Sequence, residues 1–143
     1  MIYSDYHMHT NYSSDSDATM ESMIEKAITM GMETLCFTEH MDMDYVYAKP
    51  EEEGLFELDT DAYLAGFQRQ REKYGDRIKL RFGVELGVQP HLAGELSAYV
   101  RQYDFDFVIA SSHLCNRKDP FYPYFFEGRS EEEAYGEYFA SVL

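Results

Sequence analysis

Residues 105–113, FDFVIASSH, carry an almost unbroken apolar run from Phe105 to Ala110 and end in two serines and a histidine. The run is short for a helix and rich in aromatic and β-branched side chains, so it reads as a strand of a parallel sheet covered on both faces. Upstream, Ile78, Leu80, Phe82, Val84 and Leu86 alternate with Lys79, Arg81, Gly83 and Glu85, the two-residue period of a strand with unlike faces. Between these strands Pro90 and His91 open a helix bearing Leu92, Leu96, Tyr99 and Val100. Before them lies a helix from Asp61 or Ala62 to Tyr74, ended by Gly75. Further back, Met32 to Thr38 forms a strand, and Met20, Met23, Ile24, Ala27 and Ile28 form a helical stripe with Thr19 as N-cap and Gly31 at the left-handed C-terminal cap. Ile2 to His7 is the first strand. Downstream, Ser130 and Glu133 make a capping box for a helix from Glu131 to Leu143. Residues 41–60 have no clear period and read as a long excursion, of the kind that is usually functional or mobile.

Strand and helix thus alternate four times, which implies an α/β fold with parallel strands. Either an open doubly wound sheet or part of a (β/α) barrel satisfies this order, and the complete barrel takes about 250 residues. The chain has 143, which taken alone favours the open sheet.

Composition narrows the function. With 27 acidic against 12 basic residues the formal charge is −15, which argues against a surface built to neutralise nucleic-acid phosphates. No apolar run reaches the roughly 18 to 20 residues of a membrane span, and the N-terminus has no basic segment followed by an apolar one. Two cysteines, Cys36 and Cys115, are too few for a disulfide scaffold, so a reducing cytoplasm is expected. Aromatic side chains make up 16% of the chain. Most belong in a core, but the run from Phe121 to Phe126 is broken by Pro123 and suits a pocket wall better.

The histidines shift the balance toward the barrel. His7 and His9 follow the first strand, His40 the second and His113 the fourth, while Glu85 closes the third. In barrels the C-terminal strand ends converge on one mouth. His7 and His9, two apart on extended chain, project to the same side and can share a cation. Each residue has a duller reading: His40 as a turn histidine, His113 as a hydrogen-bonded core group, Glu85 as a partner of Arg81. Together they occupy successive strand ends, and a mixed imidazole and carboxylate set suits Zn, Mn or Fe. His91, at a helix start, is expected to be exposed.

These segments resemble the polymerase and histidinol phosphatase (PHP) superfamily of metal-dependent phosphoesterases. DYHMHTNYSSD is similar to its first motif, TEH (38–40) to its second, GVE (83–85) to its third and SSH (111–113) to the next. FGVELGVQPHL, YDFDFVIASSH and FYPYFFEGRSEEEAY resemble the histidinol-phosphatase branch in particular, which dephosphorylates histidinol phosphate in histidine biosynthesis. The resemblance implies a partial (β/α) barrel of four βα units and up to three divalent cations. His7, His9 and Glu85 would hold one cation. Glu85 would bridge to a second that also takes His113, and Asp15 with His40 would serve a third. Asp17 is close enough to replace Asp15 if the loop register shifts, and Asp5 would orient a ligating imidazole. Hydroxide generated on cations held by His7, His9, Glu85 and His113 would attack the phosphate. Arg129 and Arg117 are candidate substrate contacts, Lys118 a further one, and Cys115 a pocket-wall thiol.

The family's late Asp and His motif has no counterpart in these residues, so the expectation is a single domain, 1–143, shortened at its C-terminus. Open sheet edges then predict a homo-oligomer. The partner would be a small phosphomonoester, with no nucleic acid or membrane. Action on another phosphate ester, or a catalytically incomplete metal-binding fragment, are the alternatives; an amidohydrolase shares only the paired-histidine strand.

Overall fold

Four strands lie side by side in one parallel sheet, ordered as they occur in the chain: β1 (Ser4–Asp5), β2 (Thr34–Met41), β3 (Lys79–Gly87) and β4 (Phe107–Ser111). The helices are α1 (Met20–Thr29), α2 (Thr60–Tyr74), α3 (Ala93–Val100) and α4 (Glu131–Val142). The computed structural model describes residues 2–142. The expected partial barrel of four βα units is what the chain forms. Among the described residues no helix is long and apolar enough to cross a membrane.

The alternation in β3 does what its period demands. Leu80, Phe82, Val84 and Leu86 join Leu35 and Phe37 of β2, Ile24 of α1, Tyr63 and Phe67 of α2 and Leu96 of α3 in one core between sheet and helices. Register pairs Phe37 with Phe82 and His40 with Glu85. The opposite face therefore carries Cys36, Thr38 and His40 of β2 beside Arg81, Gly83 and Glu85 of β3. Burial pushes the Cys36 thiol up to about 12, so it is an inert filler.

The caps fall where the sequence puts them. Thr19 accepts from the Ser22 amide at 3.2 Å, and Ser130 and Glu133 exchange bonds at 2.8 and 3.2 Å. Asp59, unremarked in the sequence, caps α2 by accepting from the Ala62 amide. Residues 90–92 form a short 3-10 turn ahead of α3.

Five expectations change. The first strand shrinks to two residues because Asp5 accepts the His7 amide at 3.0 Å, bending the chain before it rejoins β2 through Met8 and Thr38. Asp5 thus serves that backbone amide and not an imidazole. β2 runs on to Met41, so His40 stands within the strand. β4 is not covered on both faces: it is the edge of the sheet, and Phe107 stays 39% exposed, its ring 5.3 Å from that of Tyr6. The 121–126 segment divides. Phe125 is fully buried with Cys115 and Ala134 in a second small cluster, while Phe121 and Tyr122 face a cavity.

Candidate metal centre

Glu85 is the hub. Its side chain is 4% exposed, and its Oε2 lies 3.1 Å from His7 Nε2, 3.0 Å from His9 Nε2 and 3.6 Å from His40 Nδ1. Its Oε1 lies 3.1 Å from His113 Nε2 and accepts from Ser111 Oγ at 2.6 Å. The fold explains the convergence: parallel strands in register bring the C-terminal ends of β2, β3 and β4 level, and the bend after Asp5 carries His7 and His9 over β3. Ring centroids step from His7 to His9 by 5.3 Å, to His40 by 4.3 Å and to His113 by 5.1 Å.

Asp15, not Asp17, completes the set. Its Oδ2 lies 2.9 Å from His9 Nδ1 and 3.4 Å from His40 Nε2. Among the described residues, ligand atoms within 4.8 Å of one another form three groups: His7, His9 and Glu85; His9, Asp15 and His40; and His40, Asp42 and His113. A divalent cation suits these donors. His9 Nε2 is buried and within 3.0 Å of a carboxylate oxygen, yet it makes no hydrogen bond, the spacing that two ligands of one ion would have.

Three residues escaped the sequence reading. Asp42 lies beneath His40 and His113. Ser111 braces Glu85. Glu39, fully buried, accepts from Thr10 and Ser13 and so fixes the loop that carries His9 and Asp15. Asp42 had a legible signal, since it is two residues after His40 on extended chain and therefore on the same side.

Arg81 pairs with Asp106 at 2.6 Å, which leaves Glu85 to the histidines. His91 is bonded to Asp44 at the surface, as expected of a helix-start residue. Arg117 donates to the same Asp44 carboxylate. Arg129 stacks on Phe125, donates to its carbonyl and pairs with Glu137. Neither arginine lines the cavity beside the cluster. That cavity, about 550 Å³, has Asp15, His40, Asp42 and His113 on one side and Tyr45, Phe56, Phe121, Tyr122, Tyr135 and Tyr138 as aromatic walls. The Tyr45 hydroxyl donates to Asp119, which also lines it.

Electrostatics follow from this crowding. Burial opposes charge on His9, but the Glu85 and Asp15 carboxylates outweigh it and raise the imidazole to about 9. Burial likewise opposes charge on His113, and Asp42 and Glu85 raise it to about 10. Burial would raise Glu85, yet His113, His9 and Ser111 hold it well below the usual carboxylate range. The raised histidines stabilise the metal-free fold below about 6.5 and lose that contribution as pH climbs through 9 to 10; the depressed Glu85 contributes above about 4.5 and loses it as pH falls. The cluster therefore contributes most between about 4.5 and 6.5. The chelated protein is expected to melt highest in that window and progressively lower toward pH 10, with a shallower alkaline fall in His113→Gln. A fall of equal steepness in both proteins would refute the assignment.

The profile of the family described as "PHP domain" matches residues 5–143. A histidinol-phosphatase of Lactococcus lactis subsp. lactis is 31% identical over 140 residues, covering 97% of this chain and 50% of that protein. A probable histidinol-phosphatase of Clostridium acetobutylicum is 27% identical over 139 residues, with 97% and 50% covered. The crystal structure of the Lactococcus lactis histidinol phosphate phosphatase, complexed with Zn, L-histidinol and phosphate, superposes with a TM-score of 0.88 at 30% identity, covering 97% of this chain and 51% of that one. The chain spans about half the length of these relatives.

Proposed function

The chain belongs to the PHP domain family, and from that premise we propose that it is a metal-dependent phosphomonoesterase of the histidinol-phosphatase type. His7, His9 and Glu85 would hold one cation, Glu85 and His113 a second, and Asp15 with His40 a third. Zn, Mn or Fe fits the mixed donors. Bound there, such cations supply Lewis acidity that acidifies the attacking water and steadies the phosphate oxygens. The convergence of four imidazoles on the single buried carboxylate of Glu85 carries this reading.

The chain's own residues set what can react. Glu85, Asp15 and Asp42 place negative charge against the imidazoles, so phosphate is favoured only when cations offset those carboxylates. The aromatic cavity beside His40 and His113 accommodates the organic part of the ester, and Asp119 in its wall favours a cationic one. That combination of aromatic wall and carboxylate supports histidinol phosphate, whose organic part carries a cationic amine, over a nucleoside monophosphate, whose organic part offers Asp119 no positive charge. In the net reaction, water oxygen bonds to phosphorus, the bond from phosphorus to the ester oxygen breaks, and that oxygen leaves as an alcohol.

The same reading includes a cytoplasmic setting, no nucleic-acid partner, and self-association through Tyr6 and Phe107, which stay exposed along the sheet. A folded monomer at micromolar concentration by sedimentation would remove the last of these. The central experiment combines elemental analysis with phosphate release. We expect bound metal and faster turnover of histidinol phosphate than of nucleoside monophosphates. Bound metal without turnover of any phosphomonoester would establish a metal-binding fragment instead.

A further inference from the structure

We propose that Asp42 is a positioning residue that holds two imidazoles at once, those of His40 and His113, and thereby orients ligands belonging to two different cations. The proposal rests on the reading above that His40 and His113 are ligands. Asp42 is 3% exposed, and its backbone amide is anchored to the Phe56 carbonyl at 2.8 Å. One carboxylate oxygen lies 2.5 Å from His113 Nδ1 and the other 3.2 Å from His40 Nδ1. On its far side each ring meets a different carboxylate: His113 Nε2 is 3.1 Å from Glu85 and His40 Nε2 is 3.4 Å from Asp15.

The chemistry of a neutral imidazole makes this arrangement consequential. One ring nitrogen carries the proton and the other the lone pair, and whichever meets an acceptor keeps the proton. A carboxylate is acceptor-only, with two oxygens. Asp42 can therefore fix the proton on Nδ1 of both rings, leaving both Nε2 lone pairs aimed at the cations. Asparagine cannot do so, because one of its two terminal atoms is a donor. It would force one ring into the tautomer whose proton lies on Nε2.

Asp42 also stands close enough to these rings to be considered a ligand itself. The spacing argues otherwise. Two ligands about 2.0 Å from one tetrahedral zinc lie roughly 3.3 Å apart, close to the 3.0 to 3.4 Å separations of the Nε2 atoms of His7, His9, His40 and His113 from Glu85 or Asp15. The 2.5 Å between Asp42 and His113 leaves no room for an ion and is a charge-assisted hydrogen bond; the 3.2 Å from the other oxygen to His40 Nδ1 would by itself suit either role, and it is the carboxylate's commitment to His113 that makes Asp42 an orienting group for both rings.

Gly87 at the end of β3 belongs to the same device. A Cβ there would come within 1.9 Å of Asp42 Oδ1 and 2.6 Å of its Cγ. The strand backbone is paired with β4 at Gly87 and Ser111, so Asp42 would have to yield. Gly87→Ala should reproduce the effect of altering Asp42 while leaving every titratable group in place.

The test uses the full chain labelled with 15N-histidine and loaded with Zn. In long-range nitrogen–proton spectra, His40 and His113 are expected to carry a protonated Nδ1 and a Zn-bound Nε2; a Zn-bound Nδ1 in either ring would overturn the proposal. In competition titrations, Asp42→Asn and Gly87→Ala are each expected to weaken two Zn equivalents together by about 10- to 100-fold and to leave the His7, His9 and Glu85 equivalent unchanged. Wild-type affinity in both variants would refute the role of Asp42 while leaving the ligand assignment standing. An unaltered chain that takes up no Zn would overturn both. Should either variant fail to fold, the spectra of the unaltered chain still decide.

Discussion

Glu85→Gln is expected to abolish measurable phosphate release and to weaken divalent-metal binding by on the order of a hundred- to several-thousand-fold, the equivalent of about 3–5 kcal/mol for removing one partner of a buried charged set. The substitution preserves shape and removes one charge. It also replaces one oxygen with an NH2 group, which beside an imidazole can donate only to a nitrogen lone pair needed elsewhere and beside Ser111 obliges the hydroxyl to turn from donor to acceptor. Because Glu85 is shared between two proposed cations, the loss should reach both. Histidine chemistry offers a check that does not depend on turnover. In the chelated variant His9 and His113 lose a carboxylate that raises them, so both should titrate below their values of about 9 and 10 in the unaltered chain. Far-UV circular dichroism should stay unchanged, since Glu85 lies on the sheet face away from the main core. Wild-type metal content together with wild-type turnover in Glu85→Gln would remove Glu85 from the centre of the site.

The strand-end pattern was legible because extended chain has a period of two and parallel strands share a direction. Those facts suffice to put His7 with His9, and to put Glu85 at the far end of β3, without knowledge of any contact. The same rule applied to residues 38–42 would have found Asp42 beside His40. It was hidden because the Met and Asp residues that follow His40 were assigned to the irregular excursion, when β2 runs on to Met41. The exposure of β4 was illegible for a different reason: an apolar run records that a strand expects cover on both faces, not which segment supplies it. Arg117 and Arg129 show a third limit. Sequence marks a basic residue near a candidate phosphate site but not the partners it meets in the fold, here Asp44 for Arg117 and Phe125 with Glu137 for Arg129, all distant or unmarked in sequence. The capping box at Ser130 and Glu133 needed no such partner, being complete within one helical turn.

Glu39→Gln is expected to cost about 2–4 kcal/mol of stability, a large share of the 5–15 kcal/mol typical of a domain. Glu39 is fully buried with no cationic side chain hydrogen-bonded to it. Its oxygens instead accept from the Thr10 amide at 3.0 and 3.2 Å, the Thr10 hydroxyl at 2.7 Å and the Ser13 hydroxyl at 2.6 Å. Ser13 Oγ in turn accepts the His40 amide at 2.9 Å. Every group facing Glu39 is thus a donor. Glutamine keeps one acceptor and turns the other into a donor that opposes them. Removing the charge recovers some desolvation cost, and the Ser13 hydroxyl can rotate to accept. The Thr10 amide cannot rotate, and each buried donor left without an acceptor costs about 1–3 kcal/mol, so the loss outweighs the recovery. Glu39→Ala should be worse, since it leaves all three donors unpaired and opens a cavity. The loop from Thr10 to Ser13 holds His9 on one side and Asp15 on the other, so metal affinity should fall along with stability although Glu39 is hydrogen-bonded to Thr10 and Ser13 and to none of the proposed ligand side chains. Urea unfolding of the chelated protein isolates the stability effect from metal linkage. Hydrogen exchange at Thr10 and His40 should accelerate in the same variant. A midpoint and slope equal to the unaltered chain, with exchange unchanged at both amides, would show that the hydroxyls and amide do not depend on this carboxylate.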